Sequence, residues 1–145
     1  MDMETTIPET LQAFRLDDLA QYTRERAFSA TSSTDFRLFY VGRDDVHSIL
    51  RHILSRATRS IYLNMFGYDD DELNRILMDK ISDPHITVLI TLDKSQSGGK
   101  HEKALLDLDR QQIADFNSHF VVGQSATHQI SHTKGAVIDG IVGFE

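Results

Sequence analysis

Three residues near the C-terminal end of the chain have the side-chain chemistry of phosphoryl transfer. His132-Thr133-Lys134 opens the apolar run Ala136-Val137-Ile138, and Asp139-Gly140 closes it. Residues i and i+2 of a strand project from one face, so a strand here aims imidazole and ammonium at one ligand. An imidazole is a competent nucleophile or acid near neutral pH, and an ammonium stabilises charge gathering on a phosphoryl oxygen. The pair suits a displacement at phosphorus that passes through a covalent phosphohistidine. Asp139 stands seven residues beyond His132, an odd offset that turns it to the opposite face of a straight strand. Asp-Gly is also a strong hairpin-turn signal, so Asp139 reads equally as a site residue and as a turn residue.

The elements that must position this pair alternate along the chain. Residues 1–34 form an N-terminal helical arm and linker: Leu11, Phe14, Leu19 and Tyr22 follow Pro8 at roughly helical spacing, and Ser29 to Thr34 is polar. Phe36 to Val41, aromatic and β-branched, predicts a strand. Asp44 or Asp45 can cap a helix in which Val46, Ile49, Leu50, Ile53, Leu54 and Ala57 keep i, i+3, i+4 spacing. Ile61 to Phe66 predicts a second strand. Asp69 to Asp71 suit the N-terminus of a helix whose apolar face is Leu73, Ile76 and Leu77. Ile86 to Leu92, nearly continuous and β-branched, predicts a strand buried on both faces. A loop over 93–99, a helix over 101–116, and strands over 120–122 and 133–138 complete the order. Such alternation predicts an α/β domain with a mixed, mostly parallel sheet and helices on both faces.

Composition narrows the class. A chain of 145 residues fits one domain with its own core. The absence of cysteine removes disulfides and thiolate metal sites and is compatible with a cytoplasmic location, which is the expectation. Met1-Asp2-Met3-Glu4 is acidic and carries no apolar leader, and the longest mostly apolar stretch, 61–68, is far below the ~18 residues a membrane span needs. Net charge of −7 counts against strong non-specific affinity for nucleic acid, although local charge decides more than the total. Five arginines lie between Arg37 and Arg59, and Lys94, Lys100 and Lys103 form a second group. Both sets read as solvated faces or as a track for a phosphate polymer.

The spacing His132-x-Lys134-x4-Asp139, followed by Gly140, resembles the signature of the phospholipase D superfamily. The order strand, amphipathic helix, Ile61-Tyr62-Leu63-Asn64-Met65-Phe66, helix, and a strand ending Leu92-Asp93-Lys94-Ser95 is similar to its compact single-motif bacterial nuclease branch. The resemblance covers residues 36–145, within a domain bounded at 35–145. It implies that His132 is the nucleophile or its acid partner, that Lys134 is the phosphate ligand, and that Asp139 supports them. It also implies a Gly-Ser-x-Asn segment six residues after Asp139, and a closing strand and helix. Gly140 to Glu145 fill those six residues, so a C-terminally truncated unit is expected.

The expected activity is phosphodiester hydrolysis, with nucleic acid (DNA or RNA) as substrate or, alternatively, a phospholipid headgroup. A fragment that only binds is the third reading. No cofactor and no metal is required, because the pair supplies nucleophile and cation. A rival reading gathers His119, His128 and His132 as metal ligands. Asn64 and Lys94 are candidate substrate-binding residues at the ends of strands, whereas His47, His52, His85 and His101 read as surface residues. One motif supplies one histidine to a two-step reaction that needs two. A homodimer sharing one active site is therefore expected, unless the chain is half of a tandem two-motif enzyme.

Overall fold

A computed structural model describes residues 15–111, 117–127 and 129–145. The chain divides into two compact units, residues 1–56 and 57–145.

In the first unit a 3-10 helix, Leu16–Tyr22, precedes α1, Val46–Ser55. Leu19 is buried, and the Tyr22 hydroxyl lies 3.0 Å from His52 Nδ1. The helical expectation at Leu11 and Phe14 falls outside the described residues. Asp45 caps α1 by accepting the Ser48 N–H at 3.0 Å, as its position predicts. Its neighbour Asp44 is buried and ties a turn together. Asp44 accepts from the Tyr40 and Arg24 N–H groups and from the Arg43 guanidinium at 2.8 Å. These hydrogen bonds, that from Arg43 first, hold its carboxyl down to about 2.

The strand expected at Phe36 to Val41 does not form. Phe36, Leu38 and Tyr40 are exposed, and among the described residues the segment's one ladder contact is a bridge between Val41 and Asp44. A strand exists by pairing, and side-chain type alone does not supply a neighbour. Here Arg37 is drawn instead onto the Phe28 ring at 3.9 Å and to Asp17 at 2.9 Å, while the Tyr40 carbonyl closes a turn with Asp44 N–H.

The second unit is α/β. Its sheet has the order β3-β2-β1-β4-β5, with β1 at Ser60–Met65, β2 at Thr87–Asp93, β3 at Ser118–Gly123, β4 at Lys134–Ile138 and β5 at Val142–Phe144. α2, Asp71–Ile81, links β1 to β2, and α3, Lys100–Arg110, links β2 to β3. β1 and β2, and β2 and β3, run parallel; β4 runs antiparallel to β1, and β5 to β4. The sheet is therefore mixed in equal parts rather than mostly parallel.

The expectation of helices on both faces is not met within this unit. Two successive right-handed crossovers that step the same way across a sheet put both helices on one face. That face holds the core: Ile61 and Leu63 of β1, Val88, Ile90 and Leu92 of β2, and Ala136 and Ile138 of β4, with Ile76, Leu77, Ile81 and Leu105 from the helices. The alternate residues Tyr62, Leu89, Val121 and Val137 are exposed. β2 is thus buried on one face only, a correction to the reading of its apolar run: Leu89 sits 36% exposed between buried Val88 and Ile90. No helix among the described residues is long and apolar enough to cross a membrane.

Candidate functional site

Three parallel strands end at one edge of the sheet, and the antiparallel β4 begins there. Open α/β sheets present ligands at that edge, because loops rather than ladder partners continue the chain. Met65 pairs with Lys134 across β1 and β4, which places Phe66, the residue after β1, beside the start of β4. His132 lies just before β4 with its ring 4.8 Å from the Phe66 ring, centroid to centroid. Lys134 Nζ stands 5.5 Å from the same aromatic centroid.

The structure brings His132 and Lys134 together, both of them exposed. Lys134 Nζ lies 3.1 Å from His132 Nδ1 and 3.2 Å from Nε2, and donates to the His132 carbonyl at 2.9 Å. The in-plane lone-pair directions of the two ring nitrogens diverge, so one ammonium nearly equidistant from both sits against the ring face. That position leaves room for in-line approach to an imidazole nitrogen, with a cation alongside for the oxygens of a phosphoryl group.

The loop carrying His132 is tied to β2. Asp93, the buried last residue of that strand, accepts the Ser131 N–H through Oδ2 at 2.7 Å. Its Oδ1 accepts the Ser95 N–H at 2.9 Å and the Ser95 hydroxyl at 2.6 Å. These contacts, the Ser95 hydroxyl first, hold the Asp93 carboxyl below its ordinary value.

Asp139 is elsewhere. It sits at the far end of β4, about 13 Å or more from Lys134 at strand rise. Asp139 and Gly140 have φ of 55° and 69°, the pair of positive values a tight hairpin between β4 and β5 demands, and Ile141 N–H closes the turn onto the Ile138 carbonyl at 3.0 Å. The buried Asp139 carboxylate accepts backbone N–H groups of Thr58, Arg59 and Ser60 at 3.1, 2.7 and 2.9 Å. It fastens the entry of β1 and touches neither His132 nor Lys134.

The two substrate-binding candidates divide, one turning away from the pair and the other standing at the same edge of the sheet. Asn64 is an exposed residue of β1 whose neighbour Met65 pairs with Lys134, so alternation turns Asn64 to the opposite face. Lys94 is exposed at the shared edge, directly after β2, and is held by its backbone N–H to the Gly123 carbonyl at 3.1 Å. Of the three histidines read as metal ligands, His119 lies near the start of β3, the end of the sheet opposite His132. His128 falls outside the described residues. Among the described residues no group of three acidic or histidine side chains is arranged to hold a metal ion.

Two features, one of them beside the pair, escape sequence reading. Phe66 reads as an ordinary core residue at a strand end. His101, expected at the surface, is buried, with Nε2 2.8 Å from Asp71 and Nδ1 3.3 Å from Asp69. Its partnership, followed by that of Lys100, holds the Asp71 carboxyl low. The next residue, buried Glu102, accepts the Tyr68 N–H at 3.1 Å, and a Cβ at Gly99 would overlap its carboxylate. Burial, and then the charge of Glu102, push the Tyr68 phenol up, so it stays protonated and donates to Asn74. These contacts join the β1–α2 and β2–α3 loops that flank the pair. Some of the basic groups are paired with acids: Arg37 with Asp17, Arg43 with Asp44 and Lys100 with Asp71.

No protein-family model matches the chain, and no curated protein matches it.

Proposed function

We propose that this chain is a phosphodiesterase of the phospholipase D type, with a nucleic-acid strand as substrate. The observation that carries the reading is the convergence of His132 and Lys134 at the strand-end edge of the sheet, ammonium within 3.2 Å of the imidazole and both groups exposed. In the first step an imidazole nitrogen attacks phosphorus and the bond to the leaving oxygen breaks, giving a phosphohistidine. Lys134 stabilises the negative charge on the non-bridging oxygens. In the second step water attacks phosphorus as the phosphorus–nitrogen bond breaks, which restores the imidazole, and the water's proton passes to the group that protonated the leaving oxygen. The leaving oxygen needs a proton from an acid, and a second His132 from another copy of the chain supplies it when two copies share one cleft. Asp139 serves this reading as the anchor of the hairpin behind the pair.

Incubation with single-stranded DNA, RNA and phosphatidylcholine, each against His132→Ala, tests the proposal. Cleavage of a nucleic acid that His132→Ala abolishes is expected. Hydrolysis of the lipid alone moves the substrate class, and no hydrolysis of any of the three overturns the reading.

A further inference from the structure

We propose that Asp93 is the positioning residue of the candidate site, its carboxylate holding the His132 loop through the Ser131 N–H. The turnover half of this inference rests on the reading of His132 as nucleophile; the placement half does not. His132 precedes β4, so ladder hydrogen bonds do not fix it, and residues 129–133 are exposed throughout. The loop gains its definition from the residue adjacent to His132: Ser131 N–H meets a buried carboxylate at 2.7 Å. That carboxylate terminates β2, whose preceding residue Leu92 is 1% exposed, so it stands on a rigid element. Its other oxygen accepts the Ser95 backbone N–H as well as the hydroxyl, so the backbone alone keeps it from swinging away.

The consequence is geometric. A nucleophile on an untethered loop samples many orientations, and a displacement of about 1 Å can cost 10²-fold in rate. With the tether intact, the His132 ring stays 4.8 Å from Phe66 and within reach of Lys134. Asp93 itself touches no reacting atom.

The readout is the pair of carbon-bound ring proton signals of His132 in a ¹H–¹³C correlation spectrum, which the Phe66 ring current displaces from the values of an unstructured histidine. Phe66→Leu calibrates the loss of that displacement. In Asp93→Ala the His132 signals are expected to move to the unstructured values while the methyl signals of Ile90 and Leu92 stay in place. Turnover should fall about 10-fold or more with KM nearly unchanged. Asp93→Ser, whose single short hydroxyl cannot span both loops, is the variant to use if Asp93→Ala does not fold. Ser95→Ala removes one contact of Asp93 but not the Ser131 tether, and should leave the His132 signals where they are. His132 signals unchanged in folded Asp93→Ala or Asp93→Ser would overturn the proposal, as would equal displacement in Ser95→Ala. Displaced signals with no phosphodiesterase activity in the parent chain would uphold the placement and sink the catalytic reading alone.

Discussion

The two ends of β4 are built in opposite ways. At one end His132 and Lys134 are exposed, held by an aromatic ring, a loop tether and the first rung of a ladder. At the other, Asp139 is 6% exposed and its carboxylate gathers three consecutive backbone N–H groups from the segment entering β1. The first end spends its polar atoms on one another and on solvent, so they remain available to a ligand. The second spends them on the fold. Residues that sit within eight positions of one another in sequence therefore divide into an exposed pair and a structural anchor.

This contrast predicts separable losses. Lys134→Ala should depress turnover by about 10²–10³ through lost stabilisation of transition-state charge, with thermal stability nearly unchanged. Unchanged turnover would remove Lys134 from the site. Asp139→Ala should do the reverse. Leaving those N–H groups short of a partner costs about 2–4 kcal/mol of stability, read from denaturant midpoints, while the fraction still folded keeps its turnover. A larger effect on turnover of the folded protein than on stability would place Asp139 in the chemistry after all.

A smaller effect concerns acid. The Asp44 carboxyl is depressed to about 2, so its hydrogen bonds contribute stability that is fully present above the ordinary carboxylate range and is lost as pH falls through about 2. Asp44→Asn should therefore flatten the stability profile of the first unit below about pH 4, as followed by acid titration of its circular dichroism. Persistence of the same acid transition in the variant would assign it to other carboxylates. The smallest expected effect is that of a chelator, which should leave turnover as it was because imidazole and ammonium supply nucleophile and cation. Loss of activity restored by zinc would reopen the metal reading.

What the sequence shows clearly is what local periodicity decides. α1 and α2 match their apolar spacing and their capping aspartates, and β1, β2 and β4 fall within a residue of the expected spans. The Asp-Gly hairpin also stands where its turn chemistry puts it, although the short β5 that it creates was not anticipated. Pairing is the part that sequence hides. Nothing local in Phe36 to Val41 tells whether a neighbour strand will accept it, and nothing in Ile86 to Leu92 tells that only one face will be covered. The same holds for the site. His132 and Lys134 are legible because they stand two residues apart at the start of β4, a local relation that holds although His132 itself precedes the strand. Phe66 and the Asp93 tether join residues 66 and 38 positions apart from their partners, respectively, and only the register of β1, β2 and β4 brings them together.

Covalent phosphorylation of His132, on which the proposed reaction turns, is tested most directly by intact-mass measurement of the chain after reaction with an activated phosphodiester and an alkaline quench. The expected result is a phosphoryl adduct that maps to His132, accumulates faster than it is hydrolysed and is absent from His132→Ala. Turnover of the same substrate by His132→Ala at the parent rate, or an adduct on any other residue, would contradict it.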